Sequence, residues 1–178
     1  MKKGFVALSV LSGMFLASSA LAAPKWIGIG GSQTTASITV DQFSDLKFSS
    51  STANKFNGYI KAGEPLFDLT INAPQGMQVA IAGVVNSMAV STGNLRNDEY
   101  NAGNELTSIH AVLADASVLK GSEYIPEGGK DRDTSGAAAI VVDGTGADVN
   151  INFISRDEKP SLTPGKYNYT FIAQAFTE

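Results

Sequence analysis

The sequence predicts an all-β domain built as an antiparallel sandwich. Three observations carry this reading. Apolar and polar residues alternate with a period of two over five separate runs, clusters of turn-forming residues divide those runs, and no segment has a persuasive helical period.

The first feature of the chain lies outside this pattern. Lys2 and Lys3 precede an apolar run from Phe5 to Leu16, and Ala20-Leu21-Ala22 matches the small-x-small site of a signal peptidase. Residues 1–22 are therefore expected to be a signal peptide, since an apolar run of about 12 residues is too short for a bilayer that needs roughly 20. Residues 23–178 suffice for one domain with a hydrophobic core, and no second domain or internal repeat is evident. The chain has no cysteine, so an exported product gains no disulfide and offers no lipid-anchor site. The formal charge is −4 with both leader lysines included, and no basic cluster follows. Nucleic acid and anionic membrane are excluded as expected partners on that ground.

The next element is "SQTTASITVDQ" (Ser32 to Gln42), which alternates like a strand but is poorly filled. Its one face carries Ser32, Thr34, Ala36, Ile38 and Val40, all of modest size. Trp26, the single tryptophan, lies just upstream, with a role that the sequence leaves open between an anchor on a neighbour and part of a pocket.

Five fuller strands follow. "LFDLTI" (Leu66 to Ile71) aligns Phe67, Leu69 and Ile71, and "MQVAIAGVV" (Met77 to Val85) turns Val79 and Ile81 inward. "TSIHAVL" (Thr107 to Leu113) aligns Ile109, Ala111 and Leu113. "DVNINFIS" (Asp148 to Ser155) sets Val149, Ile151 and Phe153 against Asn150 and Asn152. "KYNYTFIAQAF" (Lys166 to Phe176) aligns Tyr167, Tyr169, Phe171, Ala173 and Ala175. Turn clusters such as "NAPQG", "STGN", "DGTG" and "TPGK" stand between the runs. His110 to Leu119 allows one short helical turn. Asn94 to Glu105 and Lys120 to Gly136 are longer polar stretches; the plain reading is solvated loops, the sharper one a displayed receptor site on a rigid scaffold. Together these elements predict a sandwich of immunoglobulin type.

Candidate chemistry is sparse. His110 is the only histidine, which excludes a multi-histidine metal site, and its parity turns it away from Ile109 and Ala111, toward solvent rather than into a catalytic role. "DRDTSG" (Asp131, Asp133, Ser135, Gly136) has the oxygens of the first half of a calcium loop, but the position that needs a bidentate Glu is Val142 and no flanking helices are expected. "GIGG" (Gly28 to Gly31) lacks the glycine spacing of a phosphate loop. "NYT" (Asn168 to Thr170) fits a glycosylation pattern but lies in mid-strand. No pair among the 17 acidic residues is marked out for glycoside chemistry. The expectation is a protein that is not an enzyme, with no catalytic residue, no metal and no cofactor.

The two ends of the chain carry the rest. Only Thr177 and Glu178 follow Phe176, so a sandwich that wants a further strand beside Lys166–Phe176 would be left with an open edge and an unfilled apolar groove. The surplus strand near the N-terminus would fill the groove of a neighbour. In "TTASITV" (Thr34 to Val40), "KAGEPLFDLTI" (Lys61 to Ile71) and "LTPGKYNYTFIAQAFTE" (Leu162 to Glu178) the chain resembles subunits of chaperone–usher fimbriae, and is most similar to the cysteine-free subunits of thin fimbriae and capsule-like polyadhesins. Gly165, fourteenth from the C-terminus, matches the family's glycine before its last strand. The family's penultimate aromatic is replaced by Thr177, with Phe176 one residue earlier.

The resemblance implies an incomplete immunoglobulin-like sandwich over 42–178, completed by a donor strand from a neighbouring subunit, with 23–41 as the donor extension. Ser32, Thr34, Ala36, Ile38 and Val40 would be the donor residues, and Gly165, Tyr167, Tyr169, Phe171, Ala173, Ala175 and Phe176 would mark the acceptor strand that a periplasmic chaperone first covers. The implied partners are that chaperone, an outer-membrane usher and identical or related fimbrial subunits, with binding to a host receptor left open. The implied route is export through the periplasm to a surface fimbrium. The alternative reading from the residues is a self-contained secreted β-sandwich that binds carbohydrate.

Overall fold

The computed structural model describes residues 25–26, 31–35, 46–51 and 54–177. The leader 1–22, and Ala36, Ile38 and Val40 of the expected donor segment, lie outside the described residues. The strands in chain order are β1 (Lys25–Trp26), β2 (Ser32–Thr35), β3 (Lys47–Ser50), β4 (Pro65–Asn72), β5 (Gln78–Gly83), β6 (Met88–Ala89), β7 (Leu95–Arg96), β8 (His110–Leu113), β9 (Leu119–Lys120), β10 (Ala137–Asp143), β11 (Asp148–Ser155) and β12 (Thr170–Thr177).

These form two sheets, antiparallel throughout. One runs β1-β12-β5-β10-β6, with β2 also on β12 and β9 also on β10; the other runs β3-β4-β11-β8-β7. Among the described residues the only helical turns are three 3-10 turns. One of them, Ala116–Val118, falls where a short helical turn was allowed; the Asp115 side chain caps it by accepting from the Ser117 N–H at 2.9 Å.

The alternation read from the sequence is the alternation that packs. Phe67, Leu69 and Ile71 of β4, Ile151 and Phe153 of β11, and Phe171, Ala173 and Ala175 of β12 are all buried in one core between the sheets. Its centre is aromatic. Phe67 stacks on Phe153 with centroids 4.8 Å apart, and Tyr169 and Phe171 tilt against Phe67 at 4.9 and 5.9 Å. Offset and tilted rings add to the burial energy of their large areas.

A second apolar cluster lies on the other face of the larger sheet. Ala80, Ala82, Ala137, Ala139, Val141, Ile172 and Phe176 are buried there with Tyr124 and Ile125. The small alanine side chains let the 122–129 segment lie close, and Gly129 shows how close: a Cβ there would stand 2.4 Å from Ile125 Cγ2 and 3.1 Å from Ala82 Cβ. Part of the stretch from Lys120 to Gly136 is thus a cover over the sheet rather than a solvated loop.

The last strand differs from its expected span. It starts at Thr170, four residues after Lys166. Acidic side chains take the hydrogen bonds that a ladder would have used: the Asn168 N–H donates to Glu99 Oε2 at 3.0 Å, and the Thr170 N–H and Oγ1 donate to Asp98 at 3.3 and 2.6 Å.

Candidate functional site

The feature that bears on function is the edge of β12 remote from β5. On its inner side β12 pairs with β5, from Phe171 opposite Gly83 to Phe176 opposite Gln78. On its outer side it pairs with the N-terminal segment of the same chain. In β2, Thr35 stands opposite Thr170, Thr34 opposite Phe171, Gln33 opposite Ile172 and Ser32 opposite Ala173; in β1, Lys25 and Trp26 stand opposite Thr177 and Phe176.

Ser32 and Thr34 therefore take positions opposite Ala173 and Phe171, two residues of the inner face. Residues directly opposite in an antiparallel pair share a face of the sheet.

Beyond Thr35 the edge leads to a cavity of about 850 Å3. Phe56, Ile60, Leu66 and Phe67 line its apolar side, and Gly165, Tyr167 and Tyr169 line the side toward the last strand. The alternation of β12 decides which main-chain groups face it. Val84 donates to the Thr170 carbonyl at 2.9 Å and Asp98 to the Asn168 carbonyl at 2.7 Å, so even-numbered residues point toward β5 and the 98–99 loop. Odd-numbered residues point the other way, which turns the N–H and C=O of Tyr167 and Tyr169 toward the cavity side.

Side chains hold this stretch in place. The Tyr169 hydroxyl donates to the Ile109 carbonyl at 3.1 Å, and burial pushes its pKa far up. The Tyr167 hydroxyl lies 2.6 Å from the Thr163 carbonyl and 3.1 Å from that of Leu106. Burial raises Asp98 above the usual carboxylate range against the pull of its bonds to Thr170. Burial alone would also raise Glu99, but hydrogen bonds from Asn168 and Asn97 outweigh it and hold Glu99 lower. Asn168 is engaged with Glu99 through both its main chain and its side chain.

Phe176, grouped with the expected acceptor residues, lies on β12 but faces away from the main core. It is fully buried in the outer cluster, 5.9 Å from the Tyr124 ring. Alternation puts Thr177 on the side of Phe171, Ala173 and Ala175.

His110 corrects an expectation. It is buried rather than turned to solvent, at 9% exposure, and stands in a line of three groups. Its Nδ1 donates to Asp157 Oδ2 at 2.9 Å, and Ser108 Oγ lies 3.4 Å from Nε2. Burial holds its pKa below the ordinary value against the opposing pull of Asp157, so at neutral pH the contact is a hydrogen bond from a neutral imidazole, not an ion pair. Arg156 engages the same carboxylate, with Nη2 at 2.7 Å, and keeps Asp157 ionised below the usual carboxylate pKa. The residue types match a hydrolytic triad, but the geometry does not serve one. Ser108 has 0% exposure, so a substrate has no approach to its hydroxyl.

The inward face read for the last strand is buried in the core at Tyr169, Phe171, Ala173 and Ala175, but the open edge expected beside it is covered by β1 and β2 of the same chain. Sequence reasoning missed Asp98 and Glu99 as the groups that hold the start of β12, because their partners lie about 70 residues away. Among the described residues no three His, Asp or Glu side chains gather in a metal-binding group, and Asp131 accepts from Ser87 Oγ at 3.1 Å. No family model matches the chain, and no curated protein matches it.

Proposed function

We propose that this chain is a non-enzymatic subunit of a surface fimbria, an immunoglobulin-like sandwich that polymerises by accepting the N-terminal strand of a neighbouring copy. The observation that carries the reading is the register of β2 on β12. Continued by the same count, that register sets Ala36 opposite Tyr169, Ile38 opposite Tyr167 and Val40 opposite Gly165, the residues that line the cavity beside the last strand. In a donated strand that kept this register, the apolar positions would meet the apolar wall of the cavity.

The segment paired with its own β12 would offer the same main-chain pairing to the β12 edge of another copy. Strand addition uses main-chain bonds for affinity and alternate side chains for specificity. Each large aliphatic buried in the groove contributes roughly 1.5–3 kcal/mol. A head-to-tail contact does not close on itself and produces a fibre. A periplasmic chaperone and an outer-membrane usher fit this reading as the partners that keep the edge covered until assembly, and adhesion to a host cell fits as its purpose.

A second reading has its own support. The pairing of β1 and β2 with β12 of the same chain is what a self-contained secreted module would use. One experiment separates the two. The mature chain and a version lacking Ala23 to Asp41 are expressed in a periplasm and run on detergent gels with and without boiling. Strand donation is expected to give a ladder that survives detergent in the cold, collapses on boiling and is lost with the deletion. A monomer at every concentration, with the segment present, would instead favour the self-closed module.

A further inference from the structure

We propose a second site, a binding cavity for one neutral sugar ring, at the end of the sandwich formed by the 86–96 and 131–137 segments. The cavity has a volume of about 350 Å3, at the small end of the roughly 300–1,000 Å3 usual for ligand sites. Ser87, Asn94, Arg96, Asp131, Thr134 and Ser135 line it, over Ala89 and Ala137, which pair directly across the β6–β10 ladder.

Three observations point to the ligand. Asn94 Oδ1 is buried and has no hydrogen-bond partner among the described residues, although the main chain of Asn94 is fixed by the bond that its carbonyl accepts from Ala89 at 3.0 Å. A buried acceptor without a donor calls for one from a ligand or a water. The charges are mixed: the Asp131 carboxylate and the Arg96 guanidinium line the same small space, so a cation meets Arg96 and an anion meets Asp131. Neither charge is bare, since Asp131 accepts from Ser87 Oγ and Arg96 lies 4.2 Å over the Tyr100 ring. The remaining groups are hydroxyls and amides that both donate and accept, above small apolar side chains. A neutral molecule with hydroxyls around its edge and a C–H face beneath matches that lining; a pyranose is the common molecule of this shape.

This inference does not depend on strand donation, because the cavity uses no residue of β1, β2 or β12. Its test uses the full secreted chain with assigned backbone amide signals. Methyl glycosides of glucose, galactose, mannose, N-acetylglucosamine and fucose are titrated one at a time, and calcium chloride is titrated separately. The expected result is saturable shifts of the Ser87, Arg96, Thr134 and Ser135 amides with at least one glycoside, at millimolar affinity. Asn94→Ala is expected to weaken that binding about tenfold. Ser135→Trp, a rim substitution at an exposed position that leaves the core untouched, should abolish it while the rest of the spectrum stays unchanged. Absence of shifts with every glycoside, shifts that persist in Ser135→Trp, or shifts of these amides with calcium alone would each overturn the proposal.

Discussion

His110 is the residue at which the fold hides most from the sequence. Its parity was legible, since it does point away from Ile109 and Ala111, but the groups that cover it come from elsewhere: Asp157 is 47 positions on, and Tyr100 lies 6.0 Å away across a loop. No local pattern signals that cover. Its pH consequence has a definite sign. The imidazole is depressed in the fold by burial, so below about 6.5 the unfolded chain takes a proton that the folded chain does not. Stability is therefore highest above that pH and declines as pH falls toward the folded value. Asp157, depressed first by Arg156, acts in the same sense in a lower window, beneath about pH 4. Asp98, raised by burial, works in the opposite sense as pH falls toward that range. Because His110 is the only histidine, denaturant midpoints compared at pH 7.5 and 5.5 should show its effect directly. The midpoint is expected to be lower at pH 5.5, and the difference should shrink in His110→Asn. Phe153 is the plainer case at this scale. It is fully buried and touches Phe67 and Phe171 from the two sheets, so Phe153→Ala should cost about 3–5 kcal/mol in urea unfolding.

Among the elements, β4 and β11 were legible because each has one wet face, whereas β5 and β12 were legible only on the side that faces the main core, their other face being buried as well. β4 and β11 alternate in burial as they alternate in composition. β10 was not legible: Ala137 to Val142 is buried on both faces, so its run is apolar throughout and has no period to read. The two-residue strands β6, β7 and β9 are too short to leave a pattern. The outer cluster was hidden for a related reason. Ile172 and Phe176 occupy the face that alternation assigns to solvent, and only the 122–129 cover makes it dry. Gly129 should be intolerant for that reason. Gly129→Val drives a branched side chain into Ile125 and is expected to lower the melting temperature by several degrees, with near-ultraviolet circular dichroism of Tyr124 as a local readout. The acceptor edge makes a separate prediction. Ile38→Asp and Val40→Asp put a charge opposite Tyr167 and Gly165 in the continued register, so the cold-stable ladder should be lost in both. In a monomer that closes its own edge the same substitutions should lower the melting temperature as well, although the core of β4, β11 and β12 is unchanged.

For the whole molecule the question is whether one copy closes its own edge or the next one does. The main-chain pairs of β1 and β2 with β12 would be the same in both cases; what would differ is effective concentration. A tethered segment reaches its own β12 at a local concentration set by its linker, whereas a neighbour's segment must first be brought to the groove. A fibre therefore forms only if the intramolecular pairing is strained or is kept open during assembly, and a chaperone strand on β12 would do the latter. Removing the tether turns this into a measurable equilibrium. A chain lacking Ala23 to Asp41 retains the groove of Phe56, Ile60, Leu66 and Phe67 but has no segment of its own to fill it. A synthetic peptide of Ser32 to Asp41 should then bind it one to one and raise its stability. At a peptide concentration 100 times the dissociation constant the gain is about 2.7 kcal/mol, which for a domain of this size is a rise in melting temperature of roughly 5–10 °C. A peptide carrying Ile38→Asp and Val40→Asp should leave the melting temperature where it was. Capture of the native peptide and not the substituted one would locate the affinity in the apolar phase of the segment. Equal failure of both would mean that the β12 edge needs no strand beyond those the truncated chain retains, and the strand-addition reading would fall with it.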